Sequence, residues 1–319
     1  MALNPAPMSG AIALAPMEGL GDALLRARLT ALGGYDWGVT PFVRVTGSLL
    51  PARAFLRVAP ELAQSSRTPA GTPMRVQLLG SEPAMLAGNA ARLARLAPAG
   101  IDLNFGCPAP TVNRHGGGAV LLDDPERLRA IVDAVRAALP PELLLTAKMR
   151  LGVDDTARAL DCARALAGGV DALVVHARTR ADGYQAPARW EWLAQVREAV
   201  PVPVVANGDL WRLEDYRRCR AISGCADVML ARGAVADPLL ALRIRGLAAP
   251  LASPEEWPRI HAELVNFWVA VEQQVAAHHA AGRLKQWLGM LARTWPQAAQ
   301  LAGRIRTLRT PAEIGSCLT

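Results

Sequence analysis

The sequence predicts an α/β protein, a (β/α)8 barrel followed by a C-terminal all-helical domain. Two observations predict the barrel: eight short apolar runs bounded by Gly, Pro or Asp recur along the chain, and segments with helical spacing lie between them. A third predicts the appendage, because helical spacing continues beyond Pro250 without any strand signal. The 319 residues suit one large and one smaller domain, predicted as 1–248 and 249–319.

The eight apolar runs are rich in Val, Leu and Ala and do not alternate strictly with polar residues. This pattern is typical of parallel strands that are covered by helices. The predicted strands are Ala11–Met17, Tyr35–Val43, Met74–Gly80, Gly100–Cys107, Leu143–Arg150, Val170–Ala177, Pro203–Asp209 and Ala226–Gly233. A doubly wound sheet is the alternative, but no Gly-x-Gly-x-x-Gly motif follows the first strand.

Helix-start signals open the segments between the strands. Ser81, Asp124 and Asp154 begin helices predicted over residues 81–96, 124–139 and 154–166, the first two with a proline in the first turn. Beyond the barrel, Ser253-Pro254-Glu255 marks the start of the first C-terminal helix. Helices thus alternate with strands until the C-terminal part begins.

The composition indicates the cellular compartment of the protein. No run of eighteen apolar residues occurs, and no Lys or Arg precedes the first apolar run at Ala11, so neither a membrane span nor a signal peptide is predicted. Five cysteines at unpatterned spacings favour a reducing compartment. We therefore expect a cytoplasmic protein without a membrane partner.

The charge is concentrated near the C-terminus. The formal net charge is +7, and the stretch from Arg283 to Arg309 contains basic residues and no acidic one. Its cations are Arg283, Lys285, Arg293, Arg304, Arg306 and Arg309. A solvated helix face and a surface that binds a polyanion such as RNA both fit this run.

A single cysteine follows the fourth predicted strand, in Asp102-Leu103-Asn104-Phe105-Gly106-Cys107-Pro108. The glycines at 116–118 that follow let the backbone approach a ligand closely. The other cysteines lie far away in the sequence, at Cys162, Cys219, Cys225 and Cys317, which excludes a CxxC redox or zinc motif. A reactive thiol and a buried structural one both remain open from this stretch alone.

Polar residues stand at the end of nearly every predicted strand, where the strands of a barrel form the active-site mouth. These residues are Glu18, Arg44, Gln77, Asn104, Cys107, Lys148, Arg150, His176, Asn207, Asp209 and Arg232. Singly, each has a structural explanation, such as an ion pair of Lys148 with Asp102 or Asp209. Together they predict a functional site at this end of the barrel.

The last two strand ends predict a phosphorylated cofactor. Asn207-Gly208-Asp209 and Arg232-Gly233 provide glycine N–H groups and a cation where barrels commonly bind phosphate. Gln77 could pair with the pyrimidine edge of a flavin, and the Lys148 ammonium near N1 would favour the anionic reduced ring. A pyridoxal enzyme would instead use the lysine as a Schiff base, and both interpretations stay open.

Six motifs together resemble the tRNA-dihydrouridine synthases. They are Leu14-Ala15-Pro16-Met17-Glu18-Gly19, Val76-Gln77-Leu78-Leu79-Gly80, Asp102 to Pro108, Lys148-Met149-Arg150-Leu151-Gly152, Val175-His176-Ala177-Arg178-Thr179 and Ala206-Asn207-Gly208-Asp209. The resemblance runs from residue 11 to the C-terminus. Within the family, residues 41–45, 67–69 and 283–288 resemble the bacterial branch that acts on uridine 16 of the tRNA D-loop.

The resemblance implies an FMN-binding barrel, a helical tRNA-binding domain and NADPH as reductant. FMN would be held by Ala15, Pro16, Met17, Gln77, Lys148, His176, Asn207, Gly208, Asp209, Ala231 and Arg232. The tRNA would meet Arg44, Asn104, Arg150, Tyr184, Arg283, Lys285 and Arg306. Two residues depart from the family pattern: Phe105 replaces a second cysteine, and Ala231 replaces a glycine.

The chemistry implied by the resemblance is a reduction of uridine. NADPH would reduce FMN, reduced FMN would transfer a hydride to C6, and Cys107 would protonate C5 from the opposite face. A thiol of ordinary pKa, about 8.5, is mostly protonated at neutral pH and can act as this acid. An FMN-dependent barrel reductase of a small molecule, of the dihydroorotate or ene-reductase type, and a non-catalytic RNA-binding protein are the alternatives. A monomer is the expected state.

Overall fold

A computed structural model describes residues 10–318, and its centre is a closed barrel of eight parallel strands. The strands are β1 Ile12–Leu14, β2 Trp37–Arg44, β3 Met74–Leu79, β4 Ile101–Phe105, β5 Leu145–Arg150, β6 Ala172–His176, β7 Val204–Asn207 and β8 Val228–Leu230. Each strand pairs with the next in sequence, and β1 closes the ring by pairing with β8. The predicted barrel is confirmed, and the doubly wound sheet is wrong.

All eight strands overlap their predicted segments, and each is shorter than predicted. The first ends at Leu14 and not at Met17, because Pro16 has no N–H with which to continue the ladder. The last ends at Leu230, since Arg232 already begins a helix. The side chains predicted at strand ends therefore lie just beyond the strands, on the loops of the barrel mouth.

Ten helices follow the strands within the described barrel. They are α1 Ala23–Leu32, α2 Ala52–Val58, α3 Pro83–Ala94, α4 Pro110–Asn113, α5 Pro125–Ala137, α6 Ala159–Ala167, α7 Glu191–Ala199, α8 Leu213–Ser223, α9 Arg232–Ala236 and α10 Leu240–Ile244, with 3-10 turns at Pro60–Gln64 and Gly118–Asp123. Helix α6 begins later than the predicted Asp154, because the Asp155 carboxylate accepts a hydrogen bond from Ala157 N–H and closes a separate turn.

The core has two layers. The barrel interior is filled partly by apolar side chains, namely Ala13, Ala15, Val39, Val174, Val205 and Met229. Polar side chains share this interior, since Gln77 and Asp102 are fully buried there. A second, larger apolar layer lies between the strands and the surrounding helices and continues into the C-terminal helices. Burial of this layer drives the chain to fold as a barrel with helices on its outside.

The C-terminal region is helical throughout its described part, as predicted. Its elements are a 3-10 turn at Pro254–Glu256 and the helices α11 Trp257–Gln274, α12 Ala277–Leu291, α13 Pro296–Ile305 and α14 Pro311–Leu318. The indole of Trp287 packs edge-on against Phe267 and donates to the carbonyl of Val235 in the barrel, at 3.3 Å. The boundary at 248/249 stays a prediction, and residues 1–9 and 319 lie outside the described part.

One buried arginine joins the barrel to the helical region. Arg243, on α10, is 3% exposed and forms ion pairs with Asp237 at 2.6 Å and with Glu256 at 2.7 Å. Its guanidinium also donates to the carbonyls of Ala249 and Leu251, at 2.6 and 3.2 Å. The connecting segment is thus fixed through both its backbone and its side chains.

No helix within residues 10–318 combines the length and the hydropathy that a membrane span requires.

Candidate active site

A cavity of about 240 Å³ opens at the carboxyl ends of the barrel strands. Sixteen of the predicted site residues line it. They are Ala15, Pro16, Met17, Glu18, Gln77, Asn104, Cys107, Lys148, Arg150, His176, Tyr184, Asn207, Gly208, Asp209, Ala231 and Arg232. The structure therefore brings together residues from distant parts of the sequence, because all strand ends of a parallel barrel meet at one face.

Cys107 lies in a loop whose backbone is fixed on both sides. The N–H groups of Gly106 and Cys107 donate to Asn104 Oδ1, at 3.0 and 2.9 Å. The Cys107 carbonyl accepts from Asn113 Nδ2 at 2.9 Å and from Ala119 N–H at 3.0 Å. Burial raises the pKa of the Cys107 thiol, so it stays protonated at neutral pH. The cavity wall thus carries a positioned proton donor.

The loop also depends on glycine at position 118. Gly118 has a φ of +69°, and a Cβ there would lie 2.7 Å from the Cys107 carbonyl oxygen and 3.1 Å from Cys107 Cβ. We expect Gly118→Ala to shift Cys107 and to lower the catalytic rate at this site about tenfold or more. Gly116→Ala is the matched control, because Gly116 has a φ of +70° but no atom nearer than 3.9 Å to such a Cβ. Equal losses in both variants would attribute the effect to backbone strain and not to the contact with Cys107.

Lys148 is the cation at the base of the cavity. Its Nζ donates to Asn207 Oδ1 at 3.1 Å, and Asn207 Nδ2 in turn donates to the Met229 carbonyl at 2.8 Å. The structure thus gives Lys148 an amide partner and not the Asp102 or Asp209 ion pair considered from the sequence. Burial, together with the neighbouring Arg150 charge, lowers the pKa of Lys148 to about 8. The ammonium has no bound carboxylate among the described residues and is available to an anionic ligand.

His176 is held neutral by its surroundings. Burial and four nearby cations, first among them Lys148, lower its pKa well below the ordinary value. Arg178 NH1 lies 3.1 Å from His176 Nε2, and because a guanidinium can only donate, Nε2 accepts and Nδ1 carries the proton. Arg178 also donates to Asp209 Oδ2 at 2.5 Å. The imidazole therefore presents a fixed tautomer.

Sequence reasoning did not assign a role to Arg178, which is fully buried and lines the cavity. The signal was present, because side chains two apart in an extended segment point to the same side, and Arg178 stands two residues after His176. Trp211 is a second lining residue without a predicted role. Its ring lies against two cations, with the guanidinium carbons of Arg232 and Arg293 at 5.1 and 4.7 Å from the ring centroid.

The mouth of the cavity combines cations with an exposed aromatic ring. Tyr184 is 58% exposed, and its ring lies 4.7 Å from the Arg232 guanidinium carbon and 5.3 Å from that of Arg150. Arg150 is buried, and its Nε donates to the Gly106 carbonyl at 2.8 Å. Aromatic and guanidinium planes of this kind are surfaces on which a base can stack.

A sequence model of the family described as dihydrouridine synthase (Dus) matches residues 13–302, which is most of the chain. The chain belongs to the dihydrouridine synthase family. The match extends past the barrel into α13, so the C-terminal helices are part of the Dus pattern. This finding agrees with the resemblance carried by the six sequence motifs.

Curated relatives of this Dus protein cover nearly its whole length. A Ralstonia nicotianae protein named tRNA-dihydrouridine(16) synthase is 58% identical over 94% of this chain and 93% of its own. Proteins with the same name from Cupriavidus necator and Neisseria meningitidis serogroup A are 58% and 46% identical, over 94% and 95% of this chain and 94% and 92% of their own.

A solved structure with a similar fold is 6-hydroxypseudooxynicotine amine oxidase (HisD) from Pseudomonas geniculata. It superposes with a TM-score of 0.55 at 12% identity, over 74% of this Dus chain and 47% of its own. This chain thus spans about half the length of that protein. At this identity the likeness concerns the fold alone, and it agrees with the barrel.

Four of the predicted tRNA residues lie outside the Dus cavity. Arg44 is exposed, and its guanidinium lies 3.4 Å from the Thr111 carbonyl. Arg283 forms an ion pair with Asp22 at 2.5 Å. Lys285 Nζ donates to the carbonyls of Arg306 and Leu308, at 3.0 and 2.6 Å, while the Arg306 side chain is exposed. Three of the four cations therefore already have hydrogen-bond or ion-pair partners within the protein.

Proposed function

We propose that the protein is a tRNA-dihydrouridine synthase that reduces the C5–C6 double bond of uridine 16 in the tRNA D-loop, with FMN as cofactor and NADPH as reductant. Family membership and the name shared by the curated relatives support the substrate and the position. The observation that carries the chemistry is the half-buried Cys107 thiol, whose pKa is raised by burial, in the wall of a cavity that Lys148, Arg150 and Arg232 also line.

The residues of the cavity fit FMN. Gly208 and Gly233 line the cavity and let the loops after β7 and β8 pack closely, since a Cβ at Gly233 would lie 2.0 Å from the Leu210 carbonyl oxygen and one at Gly208 3.0 Å from the His176 ring. Within residues 10–318 neither Lys148 nor Arg232 has a carboxylate at ion-pair distance. Arg232 with the glycine loops suits a phosphate, and Lys148 and Gln77 suit the ring system.

Bound FMN would supply the hydride that adds to C6 of the uridine. Hydride addition makes C5 basic, and the Cys107 thiol donates its proton there; solvent then reprotonates the thiolate. Lys148 and His176 would both offer N–H donors to the cofactor, the first a charged ammonium and the second a neutral imidazole N–H. The base must leave its stack to enter the cavity, and Tyr184 with Arg150 would receive it.

Contacts with the tRNA phosphates are proposed for the cationic residues outside the cavity. Arg44 and Arg306 are exposed, which suits phosphate contacts and an affinity that falls with salt. Arg283 would have to share its guanidinium between Asp22 and an RNA phosphate. Asn104 would act mainly through the loop that carries Cys107, in addition to any contact with the base. A monomer and a cytoplasmic location remain predictions.

The affinity for FMN should depend on pH through Lys148. Because the pKa of Lys148 is about 8, its positive charge is present below that pH and is lost above it. We expect the dissociation constant of FMN to rise above pH 8, by no more than about tenfold per pH unit, since the charged ammonium is the stronger hydrogen-bond donor to the flavin ring and binding then requires uptake of a proton. Flavin fluorescence titrations from neutral to alkaline pH measure this dependence.

Two variants separate this effect from a general loss of binding. Lys148→Met should bind FMN weakly at every pH and lose the alkaline rise. Arg232→Gln should also bind weakly but keep the rise, because Lys148 still titrates. An unchanged rise in Lys148→Met would assign the titration to another group.

The proposed function is tested on unmodified tRNA transcripts. Purified enzyme with FMN and NADPH is incubated with the transcript, and dihydrouridine is mapped nucleotide by nucleotide. Modification at uridine 16 alone supports the proposal. Modification at another uridine keeps the enzyme and overturns the position, while flavin reduction without any tRNA modification favours the small-molecule reductase.

A further inference from the structure

Asp102 is a buried carboxylate that the proposed mechanism does not use. It is fully buried in the barrel, and within residues 10–318 no cation lies at ion-pair distance from it. Its two oxygens accept hydrogen bonds from Gln77 Nε2 and Thr146 Oγ1, both at 2.6 Å. Gln77, Asp102 and Thr146 are register neighbours on β3, β4 and β5. A buried acid is costly, so its presence requires a reason.

We propose that Asp102 is a positioning residue, which sets the direction of a chain of hydrogen bonds ending at the backbone of Cys107. The chain runs from Asp102 through Gln77 and Asn104. It rests on the proposed function, because the group that it positions is the proposed acid. Asp102 itself does not line the cavity, whereas Gln77 and Asn104 do.

The orientation of each amide in the chain can be assigned by starting from the end that contacts Cys107. Backbone N–H groups can only donate, so the atom of Asn104 that faces Gly106 and Cys107 is its oxygen. The Asn104 nitrogen then faces Gln77 and donates to Gln77 Oε1 at 2.7 Å. Gln77 Nε2 must consequently point at Asp102. Only an acceptor at position 102 can complete this arrangement.

Turning over either amide side chain in the chain of hydrogen bonds would be unfavourable. If either amide turned over, donor would face donor or acceptor would face acceptor at two adjacent links, and each buried mismatch is unfavourable. The Asp102 oxygen bonded to Gln77 remains an acceptor even when the acid is protonated on its other oxygen. Asp102 therefore fixes Gln77, Gln77 fixes Asn104, and Asn104 fixes the loop that carries the thiol.

The first test separates the two half-reactions of the holoenzyme. Enzyme reduced with NADPH is mixed anaerobically with tRNA, and flavin reoxidation is followed by absorbance in a single turnover. For Asp102→Leu we expect a rate roughly 100-fold lower per bound FMN, while NADPH reduces the flavin within about twofold of the wild-type rate. Asp102→Asn can still present an oxygen to Gln77, so its rate of flavin reoxidation should fall only about threefold. Equal losses in both half-reactions, or no rescue by asparagine, would overturn the proposal.

A second test uses only isosteric changes, in case Asp102→Leu does not fold. In Asp102→Asn the Thr146 hydroxyl can accept from the new amide and so orient its oxygen toward Gln77. In Thr146→Val the Asp102 carboxylate still offers an oxygen to Gln77 in either orientation, so we expect the rate of flavin reoxidation to fall only about threefold. The double variant leaves the amide free to turn over, so its loss should exceed the product of the single losses by about tenfold. A loss equal to that product would contradict the proposal.

Failure of this inference can be told from failure of the proposed function. If tRNA does not reoxidise the reduced wild-type enzyme, the proposed function is wrong. If it reoxidises the wild type and all Asp102 variants equally fast, the function stands and the positioning role is wrong.

Discussion

Replacement of Cys107 by alanine is expected to lower the rate of tRNA reduction at least 100-fold, in the range found when a general acid is removed. NADPH should still reduce the bound flavin at the wild-type rate, because in the proposed mechanism Cys107 acts only on the uridine. Any remaining protonation of C5 would depend on a water molecule that enters the space left by the thiol. Rapid mixing that resolves flavin reduction from tRNA-dependent reoxidation measures both effects in one preparation.

Cys317→Ala is the matched control, since Cys317 is also free and partly buried but lies on α14, away from the cavity. It should leave both rates unchanged. A Cys107→Ala enzyme that reduces tRNA normally would exclude Cys107 as the acid. Slow reduction by NADPH in the same variant would show instead that the substitution disturbs the flavin site.

Replacement of Arg243 by methionine is expected to lower the free energy of unfolding by about 3–5 kcal/mol. The substitution keeps much of the side-chain volume but leaves Asp237 and Glu256 without their shared cation. Burial already raises the pKa of Asp237, and Arg243 opposes that rise, so the acid should take up a proton more readily in the variant. Denaturant unfolding at neutral pH measures the loss.

An exposed ion pair provides the comparison for Arg243. Arg129 and Asp133 pair at 2.7 Å on α5, with both side chains about half exposed. Arg129→Met should change the free energy of unfolding by less than about 0.5 kcal/mol, because water solvates the remaining carboxylate. A similarly small loss for Arg243→Met would mean that the connecting segment contributes little to the stability of the whole chain.

Much of the fold could be predicted because it rests on local patterns. Apolar runs bounded by Gly, Pro or Asp located all eight strands, and the strand-end residues converged as a parallel barrel requires. Errors arose where one side chain redirected the backbone, as when Asp155 closed a turn ahead of α6. Such competition between neighbouring hydrogen bonds is decided by three-dimensional geometry that residue type alone does not specify.

The partners of polar residues were the least predictable part of the site. The sequence allows an ion pair of Lys148 with Asp102 or Asp209, but its partner is Asn207, 59 positions away. The basic run predicts Arg283 and Lys285 as cations for RNA, and the structure pairs the first with Asp22 and the second with two carbonyls of the C-terminal region. A basic run reveals its charge but not the acceptors that a distant segment brings to it.

The two anchors of the helical region limit how this enzyme could be re-engineered. Arg243 fastens the connecting segment at one end, and Arg283 ties α12 to the loop after β1 at the other. An exchange of C-terminal regions between relatives with different target uridines would separate Arg243 from Glu256 and Arg283 from Asp22. Working chimeras should therefore require a barrel that supplies an arginine at position 243 and an aspartate at position 22 to the incoming helices.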